Sequence, residues 1–183
     1  MNMNMKMNKL ALASAIVLGG AGFGVNAYAQ ATGTGTANAT VVRPITITAS
    51  SPNLRFGSFS TSAAGQTVAI STAGARTLVG AIGVGTAQNA FGAASFTVGG
   101  EGALTYGITL PSTTNITTGT GLAAETMATS LFTSNPTGTA GLLSGTAGTA
   151  GTQTLLVGAT ITTVAAQVTG IYTGTFAVTV AYN

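Results

Sequence analysis

The chain contains no cysteine, no histidine and no tryptophan, and its 183 residues carry only five basic and two acidic side chains. Aspartate is missing as well, so the acids are Glu101 and Glu125. Without cysteine there is neither a disulfide framework nor a thiolate metal site, and without histidine the imidazole ligands are gone too. General acid and base catalysis needs titratable groups held together, and a serine or threonine nucleophile needs a base beside it. Beyond residue 29 there is no lysine or histidine to serve. The two glutamates could act only as the carboxylate pair of sugar hydrolysis. Both fall in Gly- or Ala-rich stretches that read as loops with solvated carboxylates. No Gly-Lys-Ser/Thr phosphate loop is present, and no G-x-G-x-x-G follows a strand. The sequence therefore reads as a protein that is not an enzyme, with no cofactor, no metal and no small-molecule substrate.

The formal net charge of +3 is misleading. Lys6 and Lys9 belong to the leading segment, and the remainder sets Arg43, Arg55 and Arg76 against the two glutamates. Nucleic acid is excluded as a partner, because phosphate neutralisation needs a cluster of basic groups. Binding to an anionic membrane surface fails on the same ground. Charged residues make up 4% of the chain, where about a quarter is ordinary. Small domains use charge to stay apart in solution, so this composition suits a subunit packed into an assembly.

After the two lysines comes an uncharged run from Leu10 to Val25, then Ala27-Tyr28-Ala29 before Gln30. A basic region, a short apolar region and small residues at the A-x-A positions predict a secretory signal peptide cut after Ala29. The apolar run is short for a membrane span, which needs about twenty residues. The predicted organisation is a signal peptide over 1–29, an N-terminal extension over 30–42 and one domain over 43–183. About 150 mature residues suffice for a single domain with a real core.

The extension alternates small residues with threonine. Ala31, Gly33, Gly35, Ala37, Ala39 and Val41 share one face, with too little apolar area to fold alone. Beyond it the pattern is that of strands. Ile45 and Ile47 alternate against Thr46 and Thr48, and Pro44, which has no N–H for a ladder, puts this strand at an edge or makes it begin there. Leu54–Gly57 reads as a short strand, Gln66–Ser71 as another with Val68 and Ile70 on one face, and Leu78–Val84 as a weaker one interrupted by Gly80 and Gly83. Ala93–Val98 and Leu104–Leu110 read as a hairpin around Gly99–Gly102. Ser112–Gly121 reads as a Thr-rich loop, Met127–Phe132 as a strand, and Asn135–Gly151, with its Gly-Thr-Ala triplets, as a flexible surface loop. Leu155–Val164 is a strand with Leu155, Val157, Ala159 and Ile161 on one face. Only Leu122–Met127 looks helical. Eight or nine short strands with Gly-rich punctuation argue for an all-β sandwich.

The final segment, Gly170–Asn183, carries the clearest pattern. Tyr172, Phe176, Val178, Val180 and Tyr182 lie on one face at period 2, and mostly small or polar residues lie on the other. Burying the last four of these apolar residues is worth on the order of 6–12 kcal/mol as an upper bound.

This segment resembles the C-terminal strand of chaperone-usher pilins, which alternates hydrophobic residues and ends in a penultimate aromatic, with a glycine fourteenth from the end. Tyr182 and Gly170 stand at those positions. The Leu54–Gly57, Tyr172–Phe176 and Val180–Asn183 stretches are also similar to a widespread group of secreted bacterial proteins. The resemblance implies an immunoglobulin-like, pilin-like β-sandwich that lacks its last strand. A periplasmic chaperone and then the N-terminal extension of the next subunit would complete it, with an outer-membrane usher handling assembly. The donor would be Ala31–Val41, with Ala37, Ala39 and Val41 entering the groove. The acceptor would include Gly170, Phe176, Val178, Val180 and Tyr182. The chain would then be a pilin, the head-to-tail homopolymeric subunit of a fimbrium on the bacterial surface, serving adhesion or biofilm. It departs from many such pilins in lacking a disulfide and in having a donor of mostly Ala and Gly. The competing expectation is a self-contained secreted β-sandwich that binds glycan or matrix through its loops.

Overall fold

The structure is a computed structural model that describes residues 30–51, 53–60, 64–83 and 90–183. The predicted cleavage-site residues Ala27 and Ala29 lie outside them. The chain divides after Ala39. Residues 30–39 carry no helix or strand.

Residues 40–183 form an all-β domain. Its strands are β1 (Thr46–Ser50), β2 (Phe59–Ser60), β3 (Thr67–Ile70), β4 (Arg76–Val79), β5 (Ile82–Gly83) and β6 (Ala94–Glu101), followed by β7 (Thr105–Thr109), β8 (Thr113–Thr117), β9 (Thr126–Asn135), β10 (Gly141–Leu142), β11 (Ala150–Thr162) and β12 (Thr179–Tyr182). The helical-looking stretch is one 3₁₀ turn, Ala123–Glu125. All pairings are antiparallel, and β11 is the axis of the larger sheet. One edge of β11 takes β6 along Ala150–Val157 and then β3 along Ala159–Thr162, while the other takes β9. Outside these lie β1 on β6, β4 on β3 and β8 on β9. A smaller sheet, in the order β10-β7-β12, covers one face, and β2 pairs with β5. The result is a β-sandwich, as the strand pattern implied.

The core follows from the alternation. Leu155, Val157, Ala159 and Ile161 of β11 are all buried, as are Val98 of β6 and Tyr106 of β7. Each large aliphatic side chain so placed contributes roughly 1.5–3 kcal/mol. Gly158 lies on the opposite face for a steric reason, since a Cβ there would strike the Ile70 carbonyl oxygen and meet the Ser71 carbonyl carbon at 2.8 Å and the Thr72 nitrogen at 3.0 Å. Opposite Ala159, β9 carries an extra residue, and Leu131 takes up the irregularity with φ 50° and an exposed side chain.

Several local expectations are corrected. β6 and β7 do not form a hairpin, because β6 pairs with β1 and β11, and β7 pairs with β10 and β12. The turn carries the chain from one sheet to the other, so Val98 and Tyr106 meet across the core instead of lying side by side. Leu54–Gly57 is no strand. It makes one bridge, Arg55 to Gly92, and turns at Gly57 with φ 71°. Ser112–Gly121 holds β8, whose Ile116 is half-buried among threonines that suit a pleated surface. Asn135–Gly151, expected to be a flexible loop, holds β10, the buried Leu143 and the start of β11, and most of Ser144–Thr149 is a hydrogen-bonded turn, with the Thr149 N–H and hydroxyl both donating to the Thr146 carbonyl.

Candidate functional site

The predicted C-terminal strand keeps its alternation but not its pairing. Tyr172, Phe176, Val178, Val180 and Tyr182 are half-buried and the residues between them exposed, yet only Thr179–Tyr182 form β12. Thr173 makes a bridge to Thr117. Among the described residues, no backbone hydrogen bond joins residues 174–178 to another segment. The reason is geometric: β7 ends at Thr109 before Pro111, which leaves residues 174–178 no strand to pair with.

β12 is an edge of the small sheet and β1 an edge of the large one. Their open edges run alongside each other in opposite directions. Tyr182 reaches the start of β1, since its hydroxyl donates to the Arg43 carbonyl at 2.9 Å. Phe176 meets Phe96, which pairs with Ala49 near the other end of β1. The Phe176 ring stands edge-on to Phe96 at 6.0 Å and tilted against Phe132 at 5.3 Å. Between the two edges lies a seam without main-chain hydrogen bonds.

Adjoining it is a cleft of about 980 Å³, walled by Leu54, Phe56, Phe59, Ile116, Met127 and Phe176 among others. Residues 53–60 form one wall and residues 168–176 another. Gln167 anchors the second wall. It is buried, donates to the Ala124 and Thr126 carbonyls and to the Tyr172 hydroxyl, and accepts from the Val164 N–H. Gly170 and Gly174 let this segment pass close to β8, because a Cβ on Gly174 would sit 2.5 Å from the Asn115 carbonyl oxygen.

The acceptor residues named from the sequence thus fall in one run, with Phe176, Val178, Val180 and Tyr182 packed on the core from its rim. Of the donor residues, Ala37 and Ala39 are in no strand, and Val41 is 95% exposed. Gln30, the first residue after the predicted cleavage, is exposed.

Glu101 was expected to be a solvated loop carboxylate, and it is not. Its side chain is 7% exposed and meets Arg43 at 2.9 Å. The Gly148 N–H donates to its other oxygen. That hydrogen bond, with the Arg43 N–H and guanidinium, holds the Glu101 carboxyl below its ordinary range, against the opposing effect of burial. Glu125 is bound elsewhere, by the Thr120 N–H and hydroxyl. Tyr106 donates to Gln153 at 2.7 Å, and burial raises its phenol. Sequence reasoning missed the Arg43–Glu101 pair and the Phe96 and Phe132 partners of Phe176. The only signal for the pair was the rarity of charge itself.

No curated protein and no solved structure matches the chain. A family model described as a domain of unknown function, DUF4402, matches residues 45–182, from the residue before β1 to the last residue of β12. The chain belongs to that family.

Proposed function

We propose that the protein is the structural subunit of a bacterial surface filament, exported with a periplasmic chaperone and an outer-membrane usher. It polymerises by laying its N-terminal extension along the open seam of a neighbour. The observation that carries this reading is the C-terminal segment, whose apolar face is half-covered and whose backbone over 174–178 and outer β12 edge are unpaired. Unpaired backbone beside apolar surface is the substrate of strand addition, in which main-chain hydrogen bonds give affinity and alternate side chains fill pockets. The dimensions agree: at about 3.3 Å per residue, residues 31–41 extend roughly 36 Å and residues 174–182 about 30 Å. On the donor, Ala37, Ala39 and Val41 lie at period 2, so all three would face the core together. Because each subunit gives to one neighbour and receives from another, the contact is head-to-tail and grows into a fibre.

The test is removal of Gln30–Thr40 from the mature chain. Filaments seen by electron microscopy on cells making the full protein should disappear, leaving folded monomer or a chaperone-bound subunit. Filaments that persist refute the reading. A native protein that is monomeric with or without the segment supports a self-contained secreted sandwich instead.

A further inference from the structure

One end of the seam is tied shut. The Tyr182 hydroxyl accepts the Glu101 N–H at 2.7 Å and donates to the Arg43 carbonyl at 2.9 Å. The Glu101 carboxylate accepts from the Arg43 N–H at 3.3 Å and from its guanidinium at 2.9 Å. Three stretches far apart in sequence, the lead-in to β1, the end of β6 and the end of β12, therefore converge on one knot. The Gly148 N–H brings in a fourth. Two features mark the knot as built. Arg43–Glu101 is the only ion pair among the described residues. Gly100 stands in a strand interior, where glycine ordinarily weakens a sheet, and any Cβ there would strike the Tyr182 hydroxyl and come within 2.9 Å of Leu143.

We infer that Arg43, Glu101 and Tyr182 form a clamp that fixes the root of the N-terminal extension to the C-terminal strand and sets where an incoming strand stops in the seam. The role in strand addition rests on the filament reading, and the clamp itself on the hydrogen bonds alone. Arg43 is the first residue after the predicted donor that is tied to the domain through its side chain. The backbone before it is thereby given a fixed point of departure, while the tie across the seam bars a neighbour's strand from passing Tyr182. All three are positioning residues. The titratable or charged groups facing Glu101 are Arg43 from the lead-in to β1 and Tyr182 from β12. The turn over 102–104 and the loop over 144–149 bring only backbone and neutral side chains. Because the folded carboxyl titrates below its unfolded value, the clamp is complete above the ordinary glutamate range of about 4.3 and opens as pH falls through the lower folded value.

The experiment is hydrogen–deuterium exchange on the full mature subunit at neutral pH, comparing wild type with Glu101→Gln and Tyr182→Phe. Both variants should speed exchange of peptides covering 43–50 and 179–183 at least tenfold, with the β6 amides before Glu101 and the β11 amides unchanged. Wild type, corrected for intrinsic rates, should show the same selective opening on acidification, and Glu101→Gln should show no acid step. Unchanged exchange in those peptides, or an equal loss across β6 and β11 in both variants, overturns the clamp. A peptide copying residues 30–42 should bind Glu101→Gln subunits with affinity altered at least fivefold, and unaltered binding overturns the positioning role. If the peptide fails to bind wild-type subunits at all, the filament reading falls, and the exchange result still decides the clamp.

Discussion

Phe176→Ala separates a closed sandwich from one that a neighbour completes. Truncating a fully buried phenylalanine costs about 3–5 kcal/mol. Phe176 is half-buried in the single subunit, with its ring against Phe96 and Phe132. In the isolated subunit the variant should lose about half of that, ~2 kcal/mol, or about 6 °C in melting temperature for a domain of this size. The remaining ~2 kcal/mol should appear only when a donated strand covers the outer half of the ring. At 1.4 kcal/mol per tenfold, a peptide copying residues 30–42 should then bind the variant about 30-fold more weakly than wild type. Urea unfolding followed by circular dichroism gives the first quantity, and titration of the peptide into the subunit gives the second. A subunit that already loses the full 3–5 kcal/mol, with peptide affinity unmoved, would show that the ring is covered by its own chain and that the seam is closed.

Gly158→Ala should be among the most damaging single changes, because its Cβ would press on the Ile70 carbonyl oxygen and on the Ser71–Thr72 backbone just past the end of β3; loss of the soluble folded subunit is expected, and a wild-type melting curve would contradict it. Tyr106→Phe should cost about 1 kcal/mol in urea unfolding, since Gln153 Oε1 then keeps only the Leu142 N–H. Leu131→Asn should stabilise the protein by a few tenths to about 1 kcal/mol, because asparagine tolerates the left-handed backbone of that position better than a branched apolar residue; a lower melting temperature would count against it. Acid should weaken the wild-type subunit below the ordinary glutamate range through Glu101, whose depressed folded value makes its contribution present at neutral pH and lost as pH falls. The acid limb of the stability curve should flatten in Glu101→Gln.

Period 2 made the strands legible and left their partners hidden. The inward face of β11 could be read, because Leu155, Val157, Ala159 and Ile161 alternate on a strand buried at its centre, but its ends could not, since the strand runs from Ala150 to Thr162 and not from Leu155 to Val164. The same signal misled between β6 and β7. A Gly-rich turn between two alternating runs suits a hairpin or a crossing between sheets, and only contacts with β1, β11 and β12 decide which. β8 was missed because five residues of mostly threonine carry little hydrophobic contrast, although their register on β9 is continuous from Thr113 to Thr117. Leu54 and Phe56 looked like strand residues because they are apolar at period 2, but they wall a cleft from a loop. The inward face of the C-terminal segment was readable in full. That residues 174–178 would find no backbone partner was not, because a side-chain pattern records which face is apolar and is silent about what the backbone pairs with.

Scarcity of charge and openness of edges bear on each other. Natural sheets protect free edges with lysine or other charges, proline, bulges or covering loops. Here β1, β8 and β12 carry no charged residue, and Arg76 on β4 is engaged with the Phe56 and Ser58 carbonyls and stacks on Phe91. β1 and β12, the two edges that flank the seam, lack that charge. In this chain the nearest charges, Arg43 and Glu101, are spent on each other at the end of the seam, where they close it without repelling what enters. Threonine and alanine fill the remaining edge positions, which suit a pleated surface or crowd it little, so nothing along the seam discriminates against an added strand. An unguarded edge is a liability for a free protein and a requirement for one that must accept a neighbour's strand. On the proposed filament function, the composition and the open backbone answer the same demand, and substituting lysine at Thr179, on the exposed face of β12, should leave the subunit folded while cutting its assembly.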